Sequence, residues 1–585
     1  MINKRWVLKE QGEPAIVDLL VEALNIDRTL ANLLIQRGVK SFDEAKAYFR
    51  PRLENLHDPF LMRDMHLAVE RIERAIHKKE KILIYGDYDV DGTTAVALVY
   101  TFLKEFYPSV DFYVPDRYAE GYGVSYKGID YAHLNGITLV IALDCGIKAV
   151  EKIDYARSLG IDFIICDHHR PGDKLPRAIA ILDPKYEECT YPYKELSGCG
   201  LGFKLIQAYA KKNRIPFENL KKYLDLVVVS IASDIVPITG ENRILAYYGL
   251  KLINDKPRPG IEAILNLSRP QKPDDVSAMP QVKRELSIND LVFIIGPRIN
   301  AAGRIESARN SVELLITDNM ERANKLGTAI NNLNTERKSL DSLATSQAIQ
   351  MVMSDKALQD KKSTVLYNPD WHKGVIGIVA SRLIESFYKP TIVLTFADGL
   401  ITGSARSIKG FDIYDAVDAC GGLLEHFGGH TYAAGLSMKP ENYPKFSEKF
   451  EEFVTAKINE NLRTPEIEID SMLDLKDING KFYRVLKQFA PFGPGNMSPV
   501  FQTNNLIDTG YARIVGNNHL KLSVVQLEVS SYPISSIAFQ QGDEEHLEYV
   551  KTGRPFNICY HIEENEWNGL KSLQLNIKDI KPSQT

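Results

Sequence analysis

The chain has 585 residues, 44% hydrophobic and 25% charged, enough for about three or four domains with sizeable cores. Its formal net charge of −5 argues against a protein that coats nucleic acid over its whole surface, so any polyanion has to be met at a local basic groove or at acids masked by divalent cations. The six cysteines are scattered without a CxxC pair, against a zinc ribbon or disulfide framework, and no apolar run approaches the ~18 residues of a membrane span or a signal peptide's apolar stretch, so a cytoplasmic location is expected.

Residues 1–75 read as a helical segment, with LANLLIQRG, FDEAKAYF and MHLAVERIERAI placing apolar residues at helical spacing. From Lys81 the texture changes to short apolar runs that each end in a turn: KILIYGDYD, VDFYVPD, ITLVIALDCG, IDFIICDHH and AIAILDP. Such runs alternating with helices predict an α/β domain with a parallel, doubly wound sheet over 76–320. The polar stretch at 321–355 has one glycine and no proline and predicts a long connecting helix. A second α/β lobe is expected over 356–460. From 461 to 585, alternating pieces such as HLKLSVVQLEV and SLQLNIKDI predict a β-barrel. The proline- and charge-rich stretch 268–287 is expected to be an exposed loop.

The run KILIY leads into Gly86-Asp87-Tyr88-Asp89-Val90-Asp91-Gly92, and a helix follows. Carboxylates at alternate positions just past a parallel strand lie where doubly wound folds bind ligands, and their mutual repulsion is relieved by a cation. An Asp-rich turn that merely caps a helix is the competing explanation. Further apolar runs end in Asp144 and in Asp167-His168-His169, and Asp234 follows the run YLDLVVVSIAS, so four strand ends are expected to converge. Carboxylates mixed with imidazole suit Mn²⁺ or Mg²⁺. Two such ions ~3.5–4 Å apart activate water for phosphoryl displacement.

GDYDVDG, LDCG, DHH and SDIVP, in that order, resemble the DHH phosphoesterase superfamily. The resemblance implies that Asp89, Asp91, Asp144, His168 and Asp234 hold the two ions, with Asp87 as a ligand or a hydrogen-bonding neighbour. It places His169 at the scissile phosphate or the leaving oxygen, with Asp144 and Asp167 beside it in the catalytic set. In the second lobe, Ser404 and Arg406 in GSARS and Gly428-Gly429-His430 resemble the phosphate-holding motifs of a DHHA1 domain. Arg117, Arg298, Asn300 and Arg304, with His372 at what reads as the start of a helix, are further candidates for gripping phosphate.

The helical amino-terminal segment and a terminal barrel joined through FAPFGPGNMSPVF resemble the RecJ family over nearly the whole chain. That resemblance implies an oligonucleotide-binding (OB) barrel and hydrolysis of single-stranded DNA from the 5′ end to 5′-mononucleotides, in recombination and repair. It implies a monomer with no membrane contact, fed by a single-strand-binding protein or a RecQ-type helicase. Two lobes joined by a long helix are expected to leave a cleft that admits one strand. Phe492, Phe501 and Tyr511 are candidate surface aromatics of the barrel, but Phe and Tyr are more often core residues, so they define no base-stacking set. Two other functions stay open: a phosphodiesterase for short oligoribonucleotides or cyclic dinucleotides, and a non-catalytic replication scaffold that binds single-stranded DNA.

Overall fold

The computed structural model describes residues 4–268, 285–567 and 570–583, so most of the expected loop at 268–287 lies outside the described residues. The chain divides into two compact units, one of residues 10–331 with 470–585 and the other of residues 332–469 with the first nine.

In the first unit, five parallel strands make the central sheet: β1 (Lys81–Gly86), β2 (Val110–Tyr113), β3 (Ile137–Leu143), β4 (Asp162–Cys166) and β5 (Ala180–Leu182), in the order β2-β1-β3-β4-β5. β1, β3 and β4 are buried along nearly their whole length, which is why their sequences are continuous apolar runs and not alternating ones. Leu83, Tyr85, Val140, Ala142, Phe163 and Ile165 form the core of one face. Chain order reverses between β1 and β3, and in doubly wound sheets ligands bind at such a switch point, beyond the carboxyl ends of the strands.

The other face carries α1 (Val90–Lys104), α2 (Gly198–Lys212) and α3 (Leu224–Ser233). Gly92 permits the close fit of α1, because a Cβ there would meet the Asp87 carbonyl oxygen at 2.4 Å. A further helix, α4 (Gly296–Ile305), follows a single π-turn at Leu291–Ile295.

The carboxy-terminal strands alternate buried and part-exposed residues, most clearly in His519–Gln526. Phe501–Asp508 pairs with both Phe556–Trp567 and His519–Gln526, and Leu570–Pro582 and Ser530–Ala538 complete the ring. The result is a closed five-stranded barrel. The amino-terminal helices share its core: Leu30, Leu33 and Leu34 cluster with Phe501, Phe556 and Ile558. Phe501 is fully buried and Phe492 packs against this core, whereas Tyr511 is exposed. Of the three candidate surface aromatics, Phe501 is therefore a core residue.

The second unit holds a mixed five-stranded sheet, in the order His426–His430, Ala433–Met438, Leu400–Arg406, Thr391–Ala397 and Thr364–Tyr367, in which only the last pair is parallel. The helix Met320–Ser354 belongs to both units. Within the nominally helical amino-terminal segment, Arg5–Leu8 is a strand paired in parallel with Glu466–Ile469. Among the described residues, no helix is long and apolar enough to cross a membrane.

Candidate metal centre

Three neighbouring strands of the central sheet end in the expected acids. Asp87 follows β1, Asp144 follows β3, and Asp167 with His168 follows β4. Asp234 arrives differently. The run LDLVVVSIAS is not a strand but the buried helix α3, and Asp234 is its C-cap. A short apolar run buried on every side carries no periodicity that would separate the two structures. The C-terminal turn of α3 delivers Asp234 and also Ser230, which donates to the Asp91 carboxylate at 2.7 Å.

His168 is the centre of the cluster. Its Nε2 lies 3.2 Å from Asp144 Oδ1, 3.6 Å from Asp234 Oδ2 and 3.7 Å from Asp91 Oδ2. Asp91, His168 and Asp234 form one potential ion-holding group, and Asp144, His168 and His169 another, with ligand atoms within 4.8 Å of one another in each. Asp87 and Asp89 stand beside these groups. Burial first, and then the Asp89 charge, holds the Asp87 carboxyl well above the usual carboxylate range, while Asp89 is raised by burial and by Asp91.

Asp144 sits at φ 58°, fixed where its N–H donates to the Cys166 carbonyl at 2.9 Å. A Cβ at Gly198 would come within 2.6 Å of Asp144 Cβ, so glycine is needed for α2 to start there. The first turn of α2 serves Asp91 as well, through the N–H groups of Gly198 and Cys199 at 2.6 and 2.7 Å. These donors orient Asp91, while other polar atoms of the cluster are left unpaired. Asp87 Oδ2, Asp144 Oδ1 and both ring nitrogens of His168 are buried with no hydrogen-bond partner. Orphaned atoms of this kind are costly in a finished fold.

The protonation pattern suits cations. Burial lowers the His168 pKa, which favours the neutral ligand form, and burial with the neighbouring charges raises Asp144 and Asp234 well above their usual range. Oxygen donors with one neutral imidazole are what Mn²⁺ and Mg²⁺ accept. The donor set and its orphaned atoms therefore fit a divalent metal site.

His169 has a different environment. Its Nδ1 pairs with Asp167 Oδ1 at 2.7 Å and its Nε2 lies 3.2 Å from the Tyr122 hydroxyl. Burial pulls its pKa down, but the Asp167 hydrogen bond and charge outweigh that and raise it. Asp167 is in turn held below its usual range, its bond to His169 outweighing burial, and its Oδ2 accepts the Ile147 N–H at 3.0 Å. Two residues escaped the sequence reading. Tyr122 follows no apolar run, and its role is visible only from its contact with His169. Asp183, just past β5, is buried with one oxygen unpartnered, and its carboxyl is pushed up, mainly by burial, to about 7. Its position after AIAIL was the available signal.

The arginine candidates separate. The Arg117 guanidinium lies over the Tyr88 ring, 5.0 Å from its centroid, within the acidic loop. α4 packs on that loop, because a Cβ at Gly303 would meet the Tyr88 carbonyl at 2.7 Å, and so Asn300 and Arg304 are carried beside it. Arg298 points elsewhere. It is 9% exposed and donates to the Ile294 carbonyl at 2.8 Å and to Asn331 Oδ1 at 3.1 Å, and these bonds tie two helices together.

In the second unit, strand register places Ser404, Gly435 and Gly428 in one row and Arg406, Ala433 and His430 in the next row on the same face. A Cβ at Gly428 or Gly435 would meet nothing within 4 Å, leaving a flat, open shelf. Gly429 is at φ 159°, and a Cβ there would meet the Ala433 carbonyl oxygen at 2.3 Å. Arg406 donates to Ser404 Oγ at 2.9 Å, and both approach Gly377 in the first turn of the helix Ile376–Phe387. His372 does not open that helix, which begins at Ile376. It lies in the preceding turn, where its Nδ1 accepts the Gly374 N–H at 3.0 Å. Trp371 beside it is a core residue, 5% exposed.

Three family models match the chain: the DHH family N-terminal domain over residues 81–231, the DHHA1 domain over 360–456 and the RecJ OB domain over 469–579. The chain is 35% identical over 583 residues to the single-stranded-DNA-specific exonuclease RecJ of Bacillus subtilis, covering 99% of this chain and 71% of that protein. It is 33% identical over 577 residues to the RecJ of Escherichia coli, covering 94% and 96%. Among solved structures, RecJ of Thermus thermophilus in complex with Mn²⁺ has the same fold, with a TM-score of 0.82 at 24% identity over 99% of this chain and 80% of that one. A second RecJ bound to manganese matches at 28% identity and a TM-score of 0.58, over 70% of this chain and 98% of that one. With its DHH, DHHA1 and OB domains in sequence, the chain belongs to the RecJ family of metal-dependent exonucleases.

Proposed function

We propose that the protein removes 5′-mononucleotides from the 5′ end of single-stranded DNA by metal-dependent hydrolysis, and that it acts in recombination and repair. The observation that carries the chemistry is the convergence of Asp91, Asp144 and Asp234 on His168 Nε2, with orphaned polar atoms buried around it. The DNA specificity is supported by the names of relatives above 30% identity and by the closed barrel, a fold that grips single strands.

Asp89, Asp91, Asp144, His168 and Asp234 would hold two Mn²⁺ or Mg²⁺ ions, with Asp87 beside them. When bound, such ions lower the pKa of water and stabilise charge on phosphoryl oxygens. The protein's own groups do the rest. The N–H groups of Gly198 and Cys199 and the Ser230 hydroxyl fix Asp91 in one orientation. Asp167 accepts from His169 Nδ1, which leaves Nε2 directed towards the Tyr122 hydroxyl and able to give a proton to the leaving oxygen. Arg117 and Arg304 flank the acidic loop, while Ser404, Arg406, Gly428, Gly429 and His430 form a shelf suited to a terminal 5′-phosphate. The domains are assigned as a helical segment at 1–75, the DHH domain at 76–320, a connecting helix at 321–355, the DHHA1 domain at 356–460 and the OB domain at 461–585. A monomer in the cytoplasm, supplied with strands by a single-strand-binding protein or a RecQ-type helicase, completes the reading.

The test is timed digestion of a single strand labelled at either end, with Mn²⁺, Mg²⁺ or chelator, comparing wild type with Asp144→Ala. Mononucleotides released first from the 5′ end, only with metal and not by the variant, are the expected result. Faster cleavage of dinucleotides than of long strands, or strand binding without cleavage, would overturn it.

A further inference from the structure

Directly after the ligand Asp234, the backbone does something unusual. Ile235 has φ 59°, and of the twelve described non-glycine residues with positive φ it alone is β-branched. A branched Cβ is strongly disfavoured in this left-handed region, which glycine and asparagine occupy at far lower cost. The conformation is imposed from both sides. Asp234 N–H donates to the Ser230 carbonyl at 2.9 Å, and Ile238 N–H donates to the Pro494 carbonyl at 2.6 Å. Val236 and Ile238 are buried within the turn.

Burial does not compensate Ile235 for this strain, since its side chain is 62% exposed. An exposed apolar group on a backbone that resists it gains nothing inside the chain that asparagine would not give more cheaply. Strain retained beside reacting groups points to a function for the side chain. The same cluster has a second exposed apolar surface in Tyr122, 53% exposed and hydrogen-bonded through its hydroxyl to His169. Asp234, one residue before Ile235, and His169, bonded to Tyr122, both belong to the cluster that a phosphodiester has to reach.

We propose that Ile235 is a substrate-contacting residue whose side chain packs against the sugar and base of the nucleotide held at the metal centre, so that the strained turn presents an apolar contact next to the scissile phosphate. The inference rests on the nuclease reading above. It adds to that reading a contact for the nucleoside, where the acids and histidines recognise only the phosphate.

Ile235→Gly and Ile235→Asn both suit the left-handed backbone while removing the apolar group, and Ile235→Leu retains it. Each full-length variant is assayed with Mn²⁺ on a 5′-phosphorylated single strand and on the same strand carrying an abasic 5′-terminal nucleotide. On the normal strand, the glycine and asparagine variants raise KM about fivefold to tenfold, the loss expected for one part-buried aliphatic contact. Their kcat stays within about twofold of wild type, and leucine restores most of the binding. On the abasic strand, which keeps the sugar but not the base, the difference between wild type and the glycine and asparagine variants shrinks to about twofold. The thermal midpoint of Ile235→Asn equals or exceeds that of wild type, which a residue retained for stability would not allow. Wild-type KM in the glycine and asparagine variants, or an equal loss on both strands, overturns the proposal. A wild type inert on single strands with Mn²⁺ overturns the nuclease reading instead.

Discussion

The acids of the metal centre repel one another, and that repulsion is measurable without any nuclease assay. Asp234 is the place to perturb it, because its side chain is 29% exposed, and asparagine there has nearly the same shape. Its oxygen lies within 4.8 Å of an Asp91 oxygen, which at an effective dielectric of about 20 corresponds to a repulsion of about 3.5 kcal/mol. Screening by the solvent at that side chain reduces this to roughly 1.5 kcal/mol, so in a unit of this size Asp234→Asn raises the chelated protein's thermal midpoint by about 1–2 °C. The pH dependence follows from the direction of the shift. A carboxyl whose folded pKa is raised costs nothing below its unfolded value, and it destabilises the fold progressively as the pH climbs from there towards and past the folded value. The variant's advantage in EDTA is therefore large at pH 8 and shrinks at pH 5. Adding Mn²⁺ inverts the order, because wild type gains more binding energy; saturation at about a hundred times Kd is worth about 2.7 kcal/mol. Differential scanning fluorimetry in the four combinations of pH and metal reads all of this. A variant that melts below wild type in EDTA at pH 8 would refute the reasoning, since its acids could not then be facing one another uncompensated.

Two further outcomes follow from the same geometry. Arg406→Ala raises KM for a 5′-phosphorylated strand more than it lowers kcat, and Arg406→Lys does not restore it, because a lysine cannot reproduce the fork that also holds Ser404; equal KM with and without the 5′-phosphate in wild type would count against the shelf. Tyr122→Phe removes the hydroxyl at His169 Nε2, a bond worth about 1 kcal/mol, so steady-state kinetics should show kcat down about fivefold with KM unchanged.

The sequence made the strand-end acids legible for a physical reason. A parallel strand buried on both faces is a continuous apolar run, and the first polar residue after it marks the rim beyond the strand's carboxyl end, as Asp87, Asp144 and Asp167 do. The barrel was legible from its alternation, most plainly in His519–Gln526. The same logic failed where burial hides periodicity: LDLVVVSIAS reads as a strand and is a helix. It failed again where the partner is remote, since Arg5–Leu8 pairs with residues some 460 positions away. A four-residue strand has no local signal for such a partner.

Arg298 and Ser230 show the deeper limit. Both lie in segments that a motif search singles out, yet residue type alone does not say what either side chain is bonded to. An arginine beside an acidic centre is read as a phosphate grip, but the Ile294 carbonyl and Asn331 already occupy Arg298. The sequence reading passed over Ser230, which lies inside an apolar run and donates to Asp91. What separates them is which donors are already engaged within the fold, and that is a property of packing. A motif can announce the chemistry of a site, because chemistry depends on residue types. It cannot announce which neighbours keep those residues oriented, because orientation is decided by whatever the rest of the chain leaves unsatisfied.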